Sequence, residues 1–350
     1  MISDPTRPRI RRALVGLAIM VVAAACATGT TGPQQPGADI SAPDGPLVRQ
    51  LSSAVNTAGA MTHLQALQKI ADDNDGNRAA GTRGYEASVE YVAGVLRGAG
   101  FETSTPTYGS GDHDNGPRAT GRNVIAQTRT GNPGRIVMIG AHLDSVPDGP
   151  GIVDNGSGVA TLLEIATRLG ADPATPNTVR FAFFGSEEND AEGSSGYVKS
   201  LSPDDREKIK LYLNVDMVAS PNGGYLVQGG VGDDEEAAGP PGSATVGRVL
   251  AAQLTTAGAS APEIVEFVGD DESAFVEAGI PAGGAENGDA KRKTAEQARI
   301  WGGPAGQVYD RCYHQACDRI DNVNQDVLAR YLKAIAGTLA HFATSTDDLR

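Results

Sequence analysis

His142 and Asp144 stand two residues apart. Asp154 follows in a glycine-rich turn, then the adjacent pair Glu187 and Glu188, then Asp216, and finally Tyr313 beside His314. Two imidazoles and three carboxylates form the donor set of a paired zinc site. Zinc held by such ligands with an open position polarises carbonyls and acidifies water, which is hydrolytic chemistry. Asp154 is spaced to bridge two cations through its two carboxylate oxygens. The alternative is that Asp154 and Ser157 merely cap the helix that follows. Asp144 is expected to accept from the His142 imidazole and fix its tautomer, since residues i and i+2 of a strand point the same way. Of Glu187 and Glu188, one would ligate and the other take a proton from the attacking water. The Tyr313 hydroxyl would face the oxyanion of a tetrahedral intermediate; its alternative role is packing.

Each of the early candidates lies at the end of an apolar run: 136–140 before His142, 179–184 before the glutamates, 211–215 before Asp216. Runs without polar alternation suit strands buried on both faces. Helical spacing recurs in Leu64, Leu67, Ile70 and Ala71, in Val89, Val92, Ala93 and Leu96, in Leu162, Leu163, Ile165 and Leu169, and from Leu328 to Phe342. Strands alternating with helices predict a three-layer αβα domain with a central mixed, mostly parallel sheet whose ligands gather at strand C-terminal ends. The chain has five histidines. His63 and His341 fall on helices and His113 in a polar loop, which leaves His142 and His314 for a metal.

The 350 residues carry a formal charge of −14. That balance disfavours nucleic acid and anionic membranes as partners. Arg7, Arg9, Arg11 and Arg12 precede an apolar run, Ala13 to Ala25, too short to span a bilayer. The segment reads as an export signal over 1–25. Ala23-Ala24-Ala25-Cys26 resembles a lipoprotein acylation junction, and ordinary cleavage near Ala25 is the alternative. Residues 26–46 are expected to be a flexible tether and 47–345 a single catalytic domain. Without the first 25 residues, the charge is about −17. The remaining cysteines, Cys312 and Cys317, are expected to form a disulfide in an oxidising compartment.

From about Ala141 to Asp318 the chain resembles the secreted dizinc aminopeptidases of the M28 type. The resemblance is carried by Gly140–Asp144, Gly151–Gly158, Gly185–Glu188, Leu213–Met217 and Trp301–Asp318. It implies two Zn2+ per chain, one on His142, Asp154 and Asp216, the other on Asp154, Glu188 and His314. It also implies Glu187 as general base, Tyr313 as transition-state donor and a cis peptide after Asp154. Peptides with a free N-terminus are the implied substrates. A monomer is expected, touching a membrane only through a lipid on Cys26. Gly269-Asp270-Asp271-Glu272 replaces the Arg and Ser-Asp-His run of close relatives, and Asp271 or Glu272 is expected to shift preference toward basic or polar N-terminal residues. Ala329 and Lys333 stand where a calcium-binding relative has acidic ligands, so no calcium site is expected. The interval from Gly100 to Gly140 is too short for an inserted protease-associated domain. The same scaffold supports carboxypeptidases and glutaminyl cyclases, and an inactive peptide-binding envelope lipoprotein is a further alternative. His142 and Asp216 together beside Asp154 favour two metals, and hence hydrolysis.

Overall fold

The computed structural model describes residues 41–109, 112–113, 116–117 and 121–349. The expected signal, Cys26 and most of the expected tether lie outside the described residues. The described residues form one compact unit, in which the first helix starts at Pro46 and the last ends at Thr344.

Eight strands make the main sheet: β1 (Glu102–Ser104), β2 (Val124–Gln127), β3 (Asn132–His142), β4 (Asn177–Phe184), β5 (Ile209–Asp216), β6 (Leu226–Gln228), β7 (Glu263–Val265) and β8 (Ala282–Glu286). Their spatial order is β1-β2-β4-β3-β5-β8-β6-β7. The central four, β4, β3, β5 and β8, run parallel, and β1, β2 and β6 join antiparallel. This is the mixed, mostly parallel sheet expected from the sequence.

Both faces are covered, which is why the central strands read as unbroken apolar runs. Val137, Ile139 and Ala141 of β3, with Val179, Phe181 and Phe183 of β4 and Leu211, Leu213 and Val215 of β5, enter the larger core. There they meet α1 (Pro46–Ala54), α2 (Thr57–Asp73), α3 (Arg83–Gly98), α4 (Gly156–Leu169), α6 (Ser243–Thr256) and α7 (Gln325–Thr344). Ile136, Met138, Phe184 and Tyr212 point the other way, against Tyr197 and Val198 of α5 (Glu192–Ser200) and against Phe275. Tyr212 and Phe275 stack at 3.8 Å between ring centroids. At about 25 cal/mol per Å2, such two-sided burial is the main term holding the strand ends in place.

Two strands run further than their apolar stretches. His142 is the last residue of β3 and Asp216 the last of β5, so the sheet itself positions both.

Candidate metal centre

Gly140 pairs with Asn214 across β3 and β5, and that register, continued by two residues, sets His142 beside Asp216. Their side chains meet: His142 Nε2 lies 3.4 Å from Asp216 Oδ1. The same nitrogen is 3.2 Å from Asp154 Oδ1 and 3.9 Å from Glu187 Oε2. Asp154 turns its other oxygen, Oδ2, to His314 Nε2 at 3.2 Å, and Glu188 Oε2 approaches that nitrogen at 3.0 Å. Two donor groups result, His142–Asp154–Asp216 and Asp154–Glu188–His314, each with ligand atoms within 4.8 Å of one another. Asp154 belongs to both.

These spacings are those of ligands around a cation. Tetrahedral zinc with bonds of about 2.0–2.1 Å holds its ligand atoms about 3.3 Å apart. Among the buried polar atoms without a hydrogen-bond partner are His142 Nε2, Asp216 Oδ1 and Glu188 Oε1. Buried polar atoms are normally satisfied, and orphaned atoms on three residues of the two donor groups fit divalent ions there.

Local structure explains why Asp154 is free for this. Asn155, and neither Asp154 nor Ser157, caps α4, its Oδ1 accepting from the Gly158 amide at 2.9 Å. Its Nδ2 donates to the Val215 carbonyl at 2.8 Å. Ser157 donates to the Val153 carbonyl instead. The Asp154–Asn155 peptide is cis, as the resemblance implied. Gly151, at φ +62°, makes the turn, where an added Cβ would collide with the Asp154 carbonyl. Ser186, Met217 and His314 are non-glycine residues with positive φ, and each is a candidate ligand or lies within two residues of one. Such backbone strain concentrates at functional sites.

The other expected residues converge too. His142 Nδ1 sits 3.2 Å from the carbonyl oxygen of Asp144 and 3.7 Å from its carboxylate. The Asp144 carboxylate accepts the Glu187 amide at 3.2 Å, tying the β3 and β4 loops together. Tyr313 stacks on the His314 ring at 3.8 Å, and Cys312 and Cys317 are disulfide-bonded around this pair. Asp271 and Glu272, by contrast, are buried away from any surface, at 1% and 0% exposure. Glu272 accepts from Asn214 and from the amides of Gly269 and Asp270, a local structural role.

Two supporting residues escaped the sequence reading. Arg78 is fully buried, and its guanidinium donates to the carbonyls of Leu143, Pro150 and Gly151, fastening the loop that joins His142 to Asp154. Asp318, 2% exposed, accepts the amides of Val153 and Asp154 at 2.8 and 3.0 Å. A lone arginine in a loop carries no sequence signal for such a role. Asp318 does end the motif run after Cys317.

Electrostatics match a site built for positive charge. Burial opposes a charged His142, but Asp216, Asp144 and Asp154 outweigh it and hold the imidazole protonated well above its usual range. Hydrogen bonds that the His314 ring donates to Asp154 and Glu188 push its pKa up to about 10. Burial, with Asp216, Asp271 and Asp270 nearby, pushes Glu187 up to about 10 despite the opposing His142. Burial likewise lifts Asp216 to about 6. The cluster thus keeps protons on its two imidazoles while Asp154 between them stays ionised, and divalent cations displace those protons.

The model of peptidase family M28 matches residues 123–339. Leupeptin-inactivating enzyme 1 of Streptomyces exfoliatus is 41% identical over 305 residues, covering 85% of this chain and 65% of that protein. The chain therefore spans slightly less than two thirds of that relative's length. A probable lipoprotein aminopeptidase of Mycobacterium tuberculosis is 33% identical, over 79% of this chain and 83% of that one. Among solved structures, a zinc aminopeptidase from Bacillus subtilis superposes with a TM-score of 0.66 at 17% identity, covering 85% of this chain and 99% of the other. At that identity the likeness is one of fold.

Proposed function

Since the chain belongs to peptidase family M28, we propose that it is a dizinc aminopeptidase removing N-terminal residues from peptides. The observation that carries this reading is the division of Asp154, one oxygen facing His142 and the other His314, both at 3.2 Å. His142, Asp154 and Asp216 would hold one ion, and Asp154, Glu188 and His314 the other. When bound, two zinc ions supply Lewis-acid polarisation of the scissile carbonyl and acidify a water.

The residues then divide the work. Glu187 takes the proton of the attacking water and delivers it to the departing amine, a role worth on the order of a hundred- to ten-thousandfold in rate. Its high pKa in the metal-free chain falls beside divalent charge, as a base requires. Tyr313 donates its hydroxyl to the developing oxyanion. Asp144 holds Glu187 through its amide and His142 through its carbonyl. Arg78 and Asp318 fix the backbone that leads into Asp154. The substrate's free ammonium faces Glu187 and Asp216, which is why a blocked N-terminus would bind poorly.

The expected export signal and a lipid on Cys26 complete the reading, supported by the M. tuberculosis relative named as a lipoprotein. Among the described residues no helix is long and apolar enough to cross a membrane.

A panel of aminoacyl-arylamides and N-blocked peptides tests the proposal. Cleavage of free but not blocked substrates, lost on chelation and restored by zinc, is expected. Hydrolysis of blocked peptides or C-terminal trimming would overturn the aminopeptidase reading.

A further inference from the structure

β8 carries the row of His142 and Asp216 one strand further. Glu286, its last residue, pairs with Asp216 in parallel register, and Leu226 of β6 pairs with Glu286 beyond it. Neighbouring strands lie about 4.8 Å apart, so Glu286 is the next side chain along from the metal centre. Glu286 and Leu226 both line a cavity of about 490 Å3, within the range of about 300–1,000 Å3 usual for ligand pockets.

One wall of this cavity is apolar, and the rest of its lining is polar, with Glu266, Glu286, Lys291 and Arg292 among it. Val265, Phe267 and Val268 flank it. Val231 and Val268, the exposed large hydrophobics among the described residues, both open onto it. Apolar surface left open beside a reactive centre marks a binding surface. Glu286 is 5% exposed, and its carboxylate accepts from Gln228 Nε2 at 2.8 Å. The two cations that line the cavity have partners of their own, Lys291 Nζ lying 3.9 Å from Asp289 and Arg292 donating to the Gly306 carbonyl, although the Lys291 charge also reaches Glu286. A buried carboxylate in a cavity with an apolar side favours a guest with an aliphatic stem and a cationic tip.

We propose that this cavity receives the side chain of the substrate's N-terminal residue and that Glu286 selects lysine or arginine there. The inference rests on the aminopeptidase reading. It moves the origin of a basic preference from Asp271 and Glu272, which are enclosed by protein, to a residue of β8.

The test uses the zinc-loaded full chain with arylamides of arginine, lysine, leucine and citrulline, the last being arginine's uncharged isostere. A charge-assisted hydrogen bond discriminates by about ten- to a hundredfold. Arginine and lysine are expected to exceed citrulline and leucine in kcat/KM by that factor. Glu286→Gln should remove the advantage while leaving leucine hydrolysis within about threefold of the parent, and Glu286→Leu should favour leucine. Leucine preference in the parent, or equal loss on all substrates in Glu286→Gln, overturns the proposal and leaves the aminopeptidase reading intact. If no arylamide is cleaved, that reading fails first, and calorimetry of free L-arginine against L-citrulline decides the cavity's role. Arginine-selective binding lost in Glu286→Gln supports it, and equal binding sinks it.

Discussion

His142 and Asp216 leave the ends of β3 and β5, where the sheet fixes both backbones, whereas His314 rides a loop with no regular structure. Exposure follows the same division, with 2% for the His142 side chain and 36% for His314. The first half of the cluster is preorganised by core packing. The second is held by the Cys312–Cys317 disulfide, by ring stacking on Tyr313, and by Asp318 gripping the Asp154 backbone. A ligand set needs comparable precision on both sides. One fold reaches it by burial where a sheet is available and by covalent and hydrogen-bonded staples where it is not.

Because Asp154 joins the halves, it provides the severest test. Asp154→Ala is expected to lose both metals and all measurable hydrolysis, while His314→Ala keeps the strand-end ion alone. Metal content by plasma mass spectrometry reads the difference, and a single zinc retained in Asp154→Ala would refute the bridge. Glu187→Gln comes next, with kcat down about a hundred- to ten-thousandfold and zinc content unchanged. Loss of zinc in that variant would instead make Glu187 a ligand.

Arg78 bears on the strand-end half. Its guanidinium is the common partner of three carbonyls between His142 and Asp154. Arg78→Met takes the guanidinium from those carbonyls, of which Gly151 keeps the Gly156 amide, and removes the counter-charge near Asp144 and Asp318. A loss of about 3 kcal/mol is expected in denaturant unfolding, with zinc affinity reduced as well. Unchanged stability would mean that water replaces the guanidinium.

The two halves also differ in how far the sequence reveals them. Apolar runs of valine, isoleucine, leucine and phenylalanine permit little besides strands covered on both faces, so the ends carrying His142, Glu187, Glu188 and Asp216 were legible. His314 was found by elimination among few histidines and by its neighbours Tyr313 and Cys312. β8 was a different case. Ala-Gly-Gly-Ala-Glu has no intrinsic strand preference, and it becomes a strand by pairing with Tyr212–Asp216 of β5. Glu286 was therefore invisible as a site residue. Arg78 was hidden because its partners lie 65 or more positions along the chain, a separation no local pattern encodes.

Removing the disulfide sharpens the comparison from the loop side. Cys312→Ser with Cys317→Ser is expected to weaken the second zinc about ten- to a hundredfold, the usual cost of losing support behind a ligand. The strand-end ion should bind as before. Chelator competition followed ion by ion separates them. Equal weakening at both positions would show that the loop staples the whole cluster.

The smallest effect is one of pH, and its sign differs between the metal-free and loaded chains. Hydrogen bonds to Asp154 and Glu188 hold His314 at about 10 against an ordinary 6.5. That contribution to the stability of the metal-free chain is complete below about pH 6.5 and is lost as pH rises through about 10. Zinc requires the neutral imidazole, so its binding releases protons and weakens as pH falls. The gap in Tm between loaded and metal-free protein should therefore widen by a few degrees across this interval. In His314→Ala most of the widening should vanish. If it persists there undiminished, the proton released on metal binding comes from the buried His142, and the loop half contributes less to the coupling than its exposure allows.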